Sequence, residues 1–239
     1  MIAFLTSNPG DSCVENGVRV SRAGRLSEEN GFLERLKTVW PEKAECLLLC
    51  AEPERAGMND RMGRTLEECF ALSGLSVYRM TVCDQRNSII LSSLLLLSNV
   101  VILSGGHTLT QNRFFRRIGL KQMLQQYDGL LIGISGGSMN CGKEVYALPE
   151  LPGETSIPAR DRFLTGLGLM EMMILPHFQL LETEILDGKR LIGDIALPDS
   201  RGHCFYGLPD GSYVQIQDGE CEIVGRYCRI MNGEIFLNN

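Results

Sequence analysis

Short bursts of apolar residues alternate along the first half of the chain with stretches whose apolar positions recur every three or four residues. The bursts are IAFLT (2–6), AECLLLCA (44–51), SVYRMTV (76–82), VVILS (100–104) and GLLIGI (129–134). Runs this short predict strands, and AECLLLCA in particular reads as a strand buried on both faces, as in a parallel sheet. Between them, MGRTLEECFALSGL (62–75) has helical spacing and a glycine where the helix should stop. SIILSSLLLLS (88–98) and LTQNRFFRRIGLKQMLQQY (109–127) predict two more helices. Strand and helix in alternation predict an α/β fold built on a doubly wound, mostly parallel sheet.

After about residue 200 the pattern changes. HCFYGLPDGSYVQIQDGECEIVGRYCRIMNGEIFLNN has short strands punctuated by P-D-G, D-G and N-G turns. This predicts an antiparallel extension appended to the parallel sheet. No linker, repeat or low-complexity tract divides the sequence, so residues 1–239 read as one domain.

Composition narrows the function classes. A formal net charge of −6 leaves no basic stripe for phosphates, which argues against nucleic acid as a partner. The longest apolar run, residues 89–103, is shorter than a bilayer needs and contains Ser and Asn, so no membrane association is expected. MIAFLTSNPG shows no basic leader with a small-residue cleavage site. Nine cysteines without a C-x-x-C pair, and three histidines, do not form a tight metal-ligand cluster. Reduced thiols packed as small hydrophobes in a cytoplasmic protein, with neither metal nor cofactor, are the expectation.

The chemistry concentrates at GISGGSMNCG, residues 133–142, directly after the strand GLLIGI. A serine in G-x-S-x-G between strand and helix can sit on a sharp turn, exposed as a nucleophile, because its glycine neighbours tolerate the backbone angles. A glycine-rich turn that merely packs closely has the same look. A reacting Ser135 needs a base, and His177 follows an apolar run at what should be the same sheet edge. His107 also follows a strand, in SGGHT, whereas His203 reads as structural. Residue type and spacing leave two orders open, Ser135–His177–Asp210 and Ser135–Asp187 or Asp199–His203. An oxyanion hole would take one N–H from Gly136 and another from the Gly105-Gly106 turn.

In these residues the chain resembles the serine peptidase family of peptidase E (α-aspartyl dipeptidase) and cyanophycinase. The shared segments, in order, are Gly105-Gly106-His107-Thr108, the elbow Gly133–Gly137, GLGLMEMMILPHF and YGLPDGSYVQI. The resemblance implies a flavodoxin-like fold like that of class I glutamine amidotransferases. It implies Ser135 as nucleophile, His177 as base, and a small peptide with an N-terminal Asp as substrate. Asp210 matches a family acid in the tail, and Glu150 matches a second; Asp210 is favoured to orient His177, with Glu150 shaping the site or the substrate's amine pocket. Gly106 and Gly136 would form the oxyanion hole, with His107 and Thr108 at the substrate.

Two departures stand out: Gly136 replaces the family's usual Ala, and His107 replaces an Asn. An acidic substrate would need an arginine, and Arg160, Arg162, Arg190 and Arg201 are candidates. A non-catalytic member of the fold, a hydrolase of another small amide and a Cys141-dependent enzyme are the alternatives. A homodimer is left open.

Overall fold

The structure, a computed structural model, describes residues 1–15 and 18–238. A seven-stranded central sheet runs in the order Glu220–Val224, Tyr213–Gln217, Ile2–Thr6, Leu130–Ile134, Val100–Leu103, Ala44–Leu49, Val77–Cys83. The last five strands are mutually parallel. The first two pair antiparallel, on the far side of Ile2–Thr6. Alternate side chains explain the unbroken apolar runs. Leu47, Leu49, Val101, Leu103 and Leu131 enter one core, while Cys46, Leu48, Val100, Ile102 and Leu130 enter a second on the opposite face. Because helices cover both faces, neither set of residues meets water.

The predicted helices are present with changed bounds, and a further one, Phe32–Val39, was not foreseen. Ala56–Leu72 buries Leu66, Cys69 and Phe70 on one side and stops just before Gly74, whose φ is 77°. The stretch predicted as one helix over 109–127 is instead two, Thr108–Arg117 and Leu120–Leu124, separated at Gly119 with φ 67°. A left-handed residue interrupts the helical hydrogen-bond ladder there. The helix after Ser135 is a single turn, Gly136–Met139, so Cys141 lies beyond it, buried in the core.

The tail divides between two sheets. Tyr213–Gln217 and Glu220–Val224 extend the central sheet, while Cys204–Leu208, Tyr227–Met231 and Glu234–Asn238 join Met173–Pro176 in a second, four-stranded sheet. Met173–Pro176 therefore lies outside the parallel sheet to which its apolar run had assigned it. It pairs parallel with Cys204–Leu208. The segment Pro209–Ser212 crosses from the second sheet to the first, and that crossover brings the ends of both sheets together.

A buried ion pair ties the second half of the chain together. Arg162 Nη1 donates to Asp199 Oδ2 at 2.5 Å, with both side chains at least nine-tenths buried. Tyr146 Oη donates to the same Asp199 oxygen at 2.8 Å and stacks its ring on Phe205. Removing one partner strands the other charge in a low-dielectric interior. Asp199→Ala is expected to cost about 3–5 kcal/mol of unfolding free energy, read as a lower urea midpoint.

Candidate active site

The strand Leu130–Ile134 ends at Ser135, whose φ of 49° and ψ of −114° lie outside the regions ordinary for an L-residue. Such a conformation costs on the order of 1–3 kcal/mol and persists only where neighbours hold it. The Thr6 carbonyl accepts from Ser135 N–H at 2.9 Å and from Ser138 Oγ at 2.9 Å. Backbone from the next strand crowds the turn on its other side. A Cβ at Gly136 would overlap the Gly106 carbonyl oxygen, and one at Gly137 would overlap that of Leu103. Glycine in place of the family's alanine at 136 thus accompanies a close approach of the Gly105-Gly106 turn. Among the described residues, no acceptor takes the N–H of Gly106 or Gly136.

From the second sheet, Met173–Pro176 delivers His177 in a left-handed conformation, φ 56° and ψ 34°. Its Nε2 is 2.9 Å from Ser135 Oγ, and its Nδ1 is 2.6 Å from Asp210 Oδ1. Asp210 occupies the crossover turn, where its backbone N–H donates to Gln179 Oε1 at 3.0 Å.

Ser7 joins both halves of this arrangement. Its hydroxyl accepts the His177 backbone N–H at 2.6 Å and donates to Asp210 Oδ1 at 2.8 Å. Asn8 Nδ2 donates to the other Asp210 oxygen at 3.4 Å. Burial alone would raise the Asp210 pKa. The hydrogen bond and positive charge of His177, with the donors Ser7 and Asn8, outweigh it and bring the carboxyl down to about 2.

Glu150 stands apart from the His177–Asp210 pair. Its Oε1 accepts the Thr108 backbone N–H at 3.1 Å, at the start of the helix Thr108–Arg117. Glu150 is exposed as a residue, but the protein packed against its carboxyl desolvates it and raises its pKa. His107 turns toward neighbouring protein: Nδ1 is 2.7 Å from Thr110 Oγ1, and Nε2 is 2.8 Å from Glu154 Oε1. The other Glu154 oxygen accepts the N–H groups of Glu150 and Leu151. His107 thereby pins the loop that carries Glu150 to the turn after Leu103.

The remaining candidates lie elsewhere. His203 stacks on Phe163 at 4.1 Å and sits 3.8 Å from Glu144. Asp187 accepts from Gly153 N–H and Thr155 Oγ1. Cys141 is fully buried, which pushes its thiol pKa up, away from the thiolate form. Among the described residues, no group of three or more Cys, His, Asp and Glu side chains could hold a metal ion. No helix there is long and apolar enough to cross a membrane.

Two cavities flank Ser135 and His177. One, of about 650 Å³, is lined by Leu148, Leu180 and Leu191 together with Thr108, Glu150 and Glu184. The other, of about 380 Å³, is lined by Asn8, Gly106, Glu52 and Arg55.

Sequence reasoning had passed over Ser7, Asn8 and Arg55. The available signal was the polar TSN directly after the first strand. That strand pairs with the one carrying Ser135, with Thr6 opposite Ile134. Polar residues at the carboxyl end of a strand beside a nucleophile turn are placed for a site.

A hydroxyl on a strained strand-to-helix turn, bonded through an imidazole to a carboxylate, is an arrangement suited to hydrolytic acyl transfer on an α/β sheet. The sequence profile of peptidase family S51 matches residues 55–224, more than half of the chain. The chain belongs to peptidase family S51, a family of serine peptidases. Among solved structures, a peptidase from an acI-B1 Actinobacterium superposes with a TM-score of 0.67 at 14% identity, covering 100% of this chain and 93% of that one. A Listeria monocytogenes EGD-e protein bearing the peptidase E name gives 0.56 at 15% identity, covering 93% and 96% respectively. At such identities the likeness concerns the fold. No curated protein matches the chain.

Proposed function

We propose that the protein hydrolyses short peptides through an acyl-enzyme, with Ser135 as nucleophile, His177 as general base and Asp210 as the residue that orients it. The observation carrying this reading is the hydrogen-bond chain from Ser135 Oγ through His177 to Asp210. His177 Nε2 accepts the Ser135 proton while Oγ bonds to the scissile carbonyl carbon. The resulting oxyanion is held by the N–H groups of Gly106 and Gly136, which no protein acceptor occupies among the described residues. As the carbonyl reforms, the C–N bond breaks and His177 returns the proton to the leaving amine. Water, deprotonated by the same imidazole, then hydrolyses the ester and restores the Ser135 hydroxyl.

Charged groups beside the nucleophile suit the two ends of a dipeptide, although Glu52 and Asp11 line the smaller cavity together with its one arginine. Glu150 lines the larger cavity, matching a free α-ammonium next to the scissile carbonyl. Arg55 lines the smaller one and is the only Arg or Lys lining either cavity among the described residues, matching the carboxylate of the leaving residue. His107 acts on substrate indirectly, by holding the Glu150 loop.

The resemblance implies Asp as the first residue of the substrate, and an acidic side chain calls for a cationic partner. Arg162 is taken by Asp199, Arg190 by Asp194, and Arg160 lies beside Asp161. None of these, nor Arg201, lines the larger cavity.

A fluorophosphonate probe tests the reading directly. It is expected to label the protein stoichiometrically at Ser135, with labelling lost in His177→Ala. A chain that stays unlabelled would instead favour a non-catalytic member of the fold.

A further inference from the structure

The larger cavity carries information about the substrate's side chain. It opens beside Ser135 and His177, and its volume of about 650 Å³ falls within the range of small-molecule sites. Most of its wall is apolar. Leu148, Leu191 and Met139 are buried, and Leu180 and Leu181 half-buried. Apart from the histidine of the hydrogen-bond chain, its ionisable lining residues are Glu150 and Glu184, both acidic. No arginine or lysine lines it among the described residues.

These two facts point the same way. A carboxylate side chain placed here would lose its hydration, find no cation and face two carboxylates of its own sign. A branched or unbranched hydrocarbon would displace water from leucine surfaces and leave no polar group unpaired. With Glu150 on the α-ammonium, the apolar wall falls to the side chain of the same residue.

Resting on the nucleophile role of Ser135, we propose that this cavity is the subsite for the side chain of the first residue, and that the side chain it takes is aliphatic rather than acidic. Leu180, Leu181 and Leu191 are then the specificity-determining residues. The substrate class is short peptides that begin with Leu, Met or a similar residue.

The test is a panel of dipeptides with a free amine, Leu-Ala, Met-Ala, Ala-Ala and Asp-Ala, hydrolysed by the full chain. Fluorophosphonate labelling is run on the same preparation. Leu-Ala and Met-Ala are expected to exceed Asp-Ala in kcat/KM by about a hundredfold or more, since even one methylene in an apolar pocket can count for about tenfold or more. Leu181→Arg, at a half-buried position lining the cavity, is expected to shrink that ratio about tenfold or more, chiefly by improving Asp-Ala. Leu180→Arg serves as the second variant should the first fail to fold. A labelled enzyme that prefers Asp-Ala overturns the aliphatic subsite and leaves the hydrolase reading standing. A folded chain that neither labels nor turns over any dipeptide overturns the hydrolase reading, and the subsite with it.

Discussion

Ser135→Ala is expected to lower peptide hydrolysis by about 10⁶-fold, while the circular dichroism spectrum and the unfolding midpoint stay close to those of the wild type. The size follows from losing the covalent step altogether, which leaves only binding and oxyanion stabilisation. The fold should survive because the residues holding the turn act on the backbone and on neighbouring side chains. Thr6 bonds Ser135 N–H and Ser138 Oγ, and the Ser135 carbonyl accepts from Met139 N–H. None of these contacts uses the Ser135 hydroxyl. Turnover of the variant within tenfold of wild type would overturn the assignment of the nucleophile.

The second large effect separates the two carboxylates. Asp210→Asn is expected to reduce kcat by about 10⁴-fold, because an amide in that position favours the wrong imidazole tautomer. Glu150→Gln should act differently, raising KM for free-amine substrates with a smaller change in kcat, since Glu150 bonds Thr108 N–H instead of His177. The same Asp210 variant carries a pH signature. The native carboxyl sits at about 2, below its ordinary value of 3.8. Its contribution to stability is therefore complete above the ordinary value and is lost as pH falls through about 2. The stability gap between wild type and Asp210→Asn should be widest above about pH 5 and should close toward pH 2. A gap independent of pH, measured by urea unfolding across that range, would contradict the assignment.

Much of the scaffold was legible in sequence because the signals are local. Strands such as VVIL and LLIGI are apolar at every position, and that pattern fits a sheet covered on both faces. The turn at Ser135 was legible because its glycines answer a steric need within five residues. What escaped were facts of sheet membership. A burst such as MILP predicts a strand but not its neighbour, and it joins Cys204–Leu208 instead of the parallel sheet. Asp187, Asp199 and Asp210 look alike as polar residues near turns. Which one meets His177 depends on a crossover between sheets. Ser7 escaped because one hydroxyl after a strand looks like any loop residue until the chain's other end arrives. The partner of His107 was hidden for the same reason, since Glu154 lies far along the chain.

That last point bears on when the protein becomes active during its own synthesis. Ser7 and Asp210 meet across 203 residues of chain. A ribosome that has translated the first strand, the turn at Ser135 and even His177 has yet to make the carboxylate. The catalytic line proposed here cannot close before residue 210 has emerged and the tail has crossed from one sheet to the other. A nascent chain, or one truncated before residue 210, would therefore carry the serine without its full means of activation, and peptide hydrolysis would begin only once the segment beyond residue 210 has been made.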